Sequence, residues 1–124
     1  MRLSANEFEK LVRQALKNLP EPFASRLRAV AIDIEPMPDA RTCREMEVDD
    51  PTELLGLYQG TPLTERSIDD PPDLGDRIAL YQRNIERDCD TREEVIEEIR
   101  TTVLHEVGHH FGLDEDDLTE LGYE

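Results

Sequence analysis

A chain of 124 residues, 37% of them hydrophobic, has room for one domain, residues 1–124, around a modest core. A formal net charge of −16 repels a phosphate backbone and excludes nucleic acid as an expected partner. No apolar run approaches the length of a membrane span, and Met1-Arg2-Leu3-Ser4 does not open a secretory leader, so a cytoplasmic protein without a membrane partner is expected.

In chain order, Ser4-Ala5-Asn6-Glu7 forms a capping box, in which the Ser hydroxyl and the Glu carboxylate satisfy free N–H groups at a helix start. Phe8, Leu11, Val12, Ala15, Leu16 and Leu19 follow at helical spacing until Pro20, and a short helical turn is expected near Pro22–Leu27. Val30, Ile32 and Ile34 alternate with Ala31, Asp33 and Glu35, the pattern of a half-buried strand, which Pro36 and Pro38 end. The polar stretch from Asp39 to Pro51 reads as a loop. Leu54–Tyr58 is a second strand closed by Gln59-Gly60, Asp69–Gly75 a turn, and Arg77–Tyr81 a third strand. Thr91 with Glu94 makes a second capping box and opens a long helix running to about Phe111, where Gly112 supplies a left-handed end. A short helical tail is expected from Asp116 toward Tyr123. The fold class is α+β: a small sheet of about three strands packed on the N-terminal helix and the long C-terminal one. Cys43 and Cys89 lie far apart, form no CxxC pair and read as reduced thiols outside the chemistry.

The three histidines of the chain all lie within His105–His110. At about 100° per residue, Ile96, Ile99, Val103, Val107 and Phe111 share one arc that faces the core. His105 and His109 lie together on roughly the opposite side, about 40° apart, with Glu106 between them and the edge of that arc. This is the HExxH arrangement. Two neutral imidazoles one turn apart make a rigid bite for Zn²⁺, and the ion lowers the pKa of a water toward neutrality. The neighbouring carboxylate takes that proton and later delivers it to the leaving amine. His110 falls on the core arc between Ile99 and Val103 and reads as packed or hydrogen-bonded, not as a ligand. Glu94 and Glu98 share the histidine face but begin about 10 Å before His105 and read as solvated. Tyr123 reads as an aromatic cap on the core, with a donor to an oxyanion as the functional alternative. Tyr58 and Tyr81 read as strand aromatics, although either strand, were it an exposed edge, offers pairing to an extended peptide.

Two histidines leave the ion one protein ligand short. A third ligand from a distant later helix has little room, since fifteen residues follow His109. In the HExxHxxGxxH layout and its acid-ended variant, a Gly turns the chain and the ligand follows three residues on. Gly112 and Glu115 occupy those positions. The run from His105 to Leu118 resembles the signature of the minimal zincin-like metallopeptidases, the mini-zincins, and Leu54–Ser67 looks like that family's middle segment. The resemblance implies a compact zincin core, a zinc ion and peptidase activity on a peptide or protein substrate. It further implies that His105 and His109 are ligands, Glu106 the general base, and the acid after Gly112 the third ligand. The family more usually carries Asp there; here Glu115 is flanked by Asp114 and Asp116, which are the alternative ligands. A second function class is a non-catalytic metal-binding or interaction domain on the same scaffold, its acidic surface serving a basic partner. Glu106 favours the enzyme, because holding a metal requires no base beside the ligands.

Overall fold

The computed structural model of the chain describes residues 1–21, 23–28, 30–60 and 76–110. The turn expected at Asp69–Gly75, the helix end at Gly112 and the tail to Tyr123 lie outside them.

Helix α1 (Ala5–Ala15) starts as the capping box requires: the Ser4 hydroxyl accepts the Glu7 N–H at 3.1 Å, and the Glu7 carboxylate accepts the Ser4 N–H at 3.0 Å. It buries Phe8, Leu11, Val12 and Ala15. The helix stops earlier than the apolar spacing predicts, with Leu16 as its C-cap and Asn18 in the left-handed region at φ 59°. Asn tolerates that conformation, and the turn it makes outweighs the periodicity of Leu16 and Leu19, which pack only partly against the core. Helix α2 (Phe23–Leu27) follows and inserts Phe23 into the core.

The polar stretch after β1 (Ala31–Glu35) corrects the expectation of a loop from Asp39 to Pro51. It contains α3 (Ala40–Glu45), started by Asp39, whose carboxylate accepts the Thr42 N–H at 2.7 Å. One turn of 3-10 helix at Pro51–Glu53 starts at Asp50 in the same manner. No residue of either helix is buried, so neither has an apolar stripe; the aspartate caps, and Pro51 in the first turn of the second, are the local signals. Strand β2 (Gly56–Gln59) begins two residues later than expected, and β3 (Arg77–Tyr81) has its expected bounds. Helix α4 (Gln82–Arg87) springs directly from β3 and was not anticipated, because it is one and a half turns long and buries polar as well as apolar residues. Asn84 on α4 donates to the carbonyls of Pro51 and Leu54, both at 2.7 Å, and so anchors the segment that leads into β2.

The sheet order is β1-β3-β2, with β1 parallel and β2 antiparallel to β3. Ile78, Ala79, Leu80 and Tyr81 of β3 are all buried, the pattern of a strand covered on both faces, and this suits its central place. Against one face lies α5 (Arg92–His110), started by Thr91, whose hydroxyl accepts the Glu94 N–H at 3.1 Å. Arg92 bonds Glu7 at 2.8 Å and Arg100 bonds the Ala15 carbonyl at 3.1 Å, so α1 and α5 run side by side in the same direction. Ile99, Val103 and Val107 face the core as the helical wheel requires. Thr102, Leu104 and Gly108 are buried too, because α1, α4 and the sheet enclose the helix on several sides. Each fully buried Val, Leu or Ile contributes roughly 1.5–3 kcal/mol. Among the described residues no helix is long and apolar enough to cross a membrane.

Candidate metal centre

The last two turns of α5 carry the motif. The helical repeat sets His105 and His109 on one side with ring centroids 5.8 Å apart and ring planes tilted by 43°. Two imidazoles on one tetrahedral zinc, with Zn–N bonds of about 2.0–2.1 Å, have ring centres roughly 5 Å apart. The separation of the pair is therefore close to that of two imidazoles on a shared ion. His109 is exposed and His105 half-buried. Among the described residues no group of three or more His, Cys, Asp or Glu side chains converges to hold a metal. Glu115, Asp114 and Asp116, the candidates for the third ligand, lie outside the described residues.

Glu106 points toward β2. In the antiparallel pair, the Tyr81 N–H donates to the Leu55 carbonyl at 3.0 Å, which makes this opposed pair hydrogen-bonded. The alternation of such pairs gives Leu57 and Gln59 the same role, so the main-chain groups of Gly56 and Tyr58 point away from β3. The Tyr58 N–H meets the Glu106 carboxylate there and donates to Oε2 at 3.2 Å. Burial raises the Glu106 carboxyl above the usual carboxylate range, while the Tyr58 N–H and the positive character of His109 and His105 pull the other way. Gly56 lies so close to α5 that a Cβ on it would come within 2.7 Å of Thr102 Cγ2.

Between β2 and α5 opens a cleft of about 370 Å³, lined by Glu53, Gly56, Glu98, Thr102, His105 and Glu106 among others. Glu98 is half-buried in this wall, which corrects its reading as a solvated residue: seven residues before His105 it shares the face of the motif. Glu94 is exposed and hydrogen-bonded to Thr91. The half-buried His110 packs its ring on Tyr58, stacked at 3.9 Å and 20°. Cys89 is buried with its thiol pushed up by that burial, and neither it nor Cys43 forms a disulfide.

The sequence reading had no means of finding Tyr58 and Asp76 as neighbours of the motif. The Tyr58 hydroxyl donates to Asp76 Oδ2 at 2.7 Å, and Asp76 is 1% exposed at the start of β3. Tyr58 follows the ordinary strand pattern, and no local signal marks a buried Asp.

Comparison with curated proteins found no match. The family described as zincin-like metallopeptidase matches residues 27–123, a stretch that takes in the whole sheet and the motif helix. With more than half of its length matched, the chain belongs to the zincin-like metallopeptidase family.

Proposed function

We propose that the protein is a zinc-dependent metallopeptidase in which His105, His109 and Glu115 hold the ion and Glu106 is the general base. The observation that carries this reading is the position of Glu106: it stands beside two imidazoles that fit one ion, and a main-chain donor of the neighbouring strand holds its carboxylate. When bound, zinc supplies Lewis acidity, which lowers the pKa of water and polarises a peptide carbonyl. Glu106 then accepts the proton of the attacking water and returns it to the leaving amine. The half-buried setting of Glu106 supports this role, because a carboxylate out of bulk water is a stronger base. Among the described residues no strand pairs with the outer side of β2, which borders the cleft at Gly56, and an extended peptide adds there as a further strand. Glu53 and Glu98 on the cleft wall favour a basic side chain in that peptide. The third ligand is Glu115, three residues after Gly112 in the sequence, with Asp114 and Asp116 as the alternatives.

The test is metal analysis of protein purified without chelators, joined to a peptide-library cleavage assay with Glu106→Gln as control. The expected result is about one Zn²⁺ per chain in both proteins and cleavage by the wild type alone. Loss of zinc from Glu106→Gln would make Glu106 a ligand and not a base. Zinc without cleavage by the wild type points to the non-catalytic metal-binding domain. Zinc titration of Glu115→Ala, Asp114→Ala and Asp116→Ala identifies the third ligand as the variant with the weakest binding.

A further inference from the structure

We infer that Tyr58 is the positioning residue of this centre, a clamp that sets the Glu106 carboxylate and the turn bearing His109 at fixed places relative to the sheet. The inference rests on the zinc-peptidase reading.

Three separate groups of Tyr58 make three contacts with different parts of the molecule. Its N–H, aimed off the edge of β2, holds Glu106 Oε2 at 3.2 Å. Its ring stacks on His110 at 3.9 Å, one residue after the metal-facing His109. Its hydroxyl donates to Asp76 Oδ2 at 2.7 Å. Asp76 is itself rooted in the sheet, where its carbonyl accepts the Ala31 N–H at 3.1 Å and joins β3 to β1. A Cβ on Gly60 would overlap the Asp76 carboxylate, so this neighbour must lack a side chain for the carboxylate to stay where the hydroxyl finds it. The hydroxyl and ring contacts define the Tyr58 rotamer, and the strand register defines its N–H. A Glu side chain on a helix has several rotatable bonds, and one donor on a stiff sheet edge selects among its orientations. A Leu at position 58 would fill the core but take the hydroxyl from the buried Asp76 carboxylate, and buried polar groups stay inside only when paired. Such precision matters to rate, since a misplacement of about 1 Å costs on the order of 10²-fold.

The experiment compares Tyr58→Phe, which keeps the ring and the N–H, with Tyr58→Leu, which keeps only the N–H. Each folded variant is measured for zinc affinity, for the visible spectrum of the Co²⁺-substituted protein, for kcat and KM, and, in the metal-free state, for the proton shifts of the His110 ring. In the wild type and Tyr58→Phe the stacked His110 ring protons are shifted upfield by the ring current, and in Tyr58→Leu the shift is lost. Tyr58→Leu weakens zinc binding about tenfold, at the lower end of losses seen for groups that orient metal ligands. It lowers kcat by a similar factor at nearly constant KM and changes the cobalt spectrum, and Tyr58→Phe recovers most of each loss. A folded Tyr58→Leu with wild-type zinc affinity, cobalt spectrum and kcat overturns the inference. Should Tyr58→Leu not fold, Tyr58→Phe and Asp76→Asn decide it: smaller changes of the same sign support the clamp, and wild-type behaviour in both overturns it. Failure of the underlying reading looks different, because the wild type itself then binds no metal and cleaves no peptide, whatever the His110 shifts show.

Discussion

At one edge of the sheet a groove of about 640 Å³ runs between α1 and β1, walled by Val12, Leu16, Ile32 and Ile34 and rimmed by Arg13 and Asp33 among others. At the other edge the cleft beside β2 is smaller, about 370 Å³, yet His105 and Glu106 line it. The larger cavity is lined by no histidine, and its charged groups Glu9, Arg13, Lys17 and Asp33 stand on its rim. Two of the rim charges of the β1 groove are paired locally, Arg13 with Glu9 at 2.8 Å and Asp33 with Arg77 at 3.3 Å. The β2 edge instead turns a main-chain donor onto a half-buried carboxylate beside two imidazoles. Volume alone therefore does not single out the candidate site; what distinguishes the β2 edge is a strand register that aims polar groups at a helix face carrying potential ligands.

The largest expected effect separates the two edges by activity. Glu106→Gln should reduce peptide hydrolysis by about 10²–10⁴-fold, because an amide cannot accept the proton of water. Asp33→Asn in the β1 groove should leave hydrolysis unchanged and stability within about 1 kcal/mol. Parallel cleavage assays on the two variants check this, and equal losses would erase the distinction.

Next in size is the effect of the metal on stability. Zinc at a hundredfold excess over its Kd should stabilise the wild type by about 2.7 kcal/mol, because only the folded helix presents both imidazoles together. Thermal melts with and without zinc should show that shift in Asp33→Asn and lose most of it in His105→Ala. His105 is only half-buried, so the metal-free His105→Ala protein should remain folded. A failure of the metal-free variant to fold would show that His105 serves the core.

A smaller effect tests how tightly β2 is pressed on α5. Gly56→Ala places a Cβ 2.7 Å from Thr102 Cγ2 and 3.1 Å from the Ala79 carbonyl oxygen, and should cost about 1–3 kcal/mol by overpacking. Adding Thr102→Ser, which removes Cγ2, should recover part of the loss in denaturant melts. An additive double variant would mean that the clash lies elsewhere.

The smallest effect is electrostatic and lies away from both edges. Arg92 and the Ser4 cap hold the Glu7 carboxyl down at about 2, against an ordinary value of 4.5. Because its folded pKa is depressed, the stability Glu7 contributes is complete above about 4.5 and is lost as pH falls toward about 2. Glu7→Gln should therefore lower the melting temperature slightly at pH 7 and leave it unchanged near pH 2. Glu7 is at the surface, so salt should shrink the difference.

Features written in local spacing were legible before any coordinates. The capping box at Ser4, the third strand at Arg77–Tyr81, the α+β class and the i, i+4 histidine pair all depend on residues within one or two helical turns or one strand. Helices α3 and α4 were not legible, because the first has no buried face and the second is a short polar-rich turn held by partners far away in the chain. The setting of Glu98 is not legible for a related reason: the wheel gives its angle on α5, but the wall that half-buries it comes from Glu53–Gly56.

By itself, then, the sequence determined which residues carry the candidate chemistry and on which face of a helix they lie, since a helix converts spacing into direction without help from the rest of the fold. It left open which strand borders them and what holds the Glu106 carboxylate. That was decided by the order β1-β3-β2 and by the antiparallel register that turns the Tyr58 N–H outward, features set by side-chain packing between segments far apart in the chain. Residues separated by 48 positions, as Tyr58 and Glu106 are, leave no periodic trace of their contact, and only the packing of α5 on the sheet brings them within hydrogen-bonding distance.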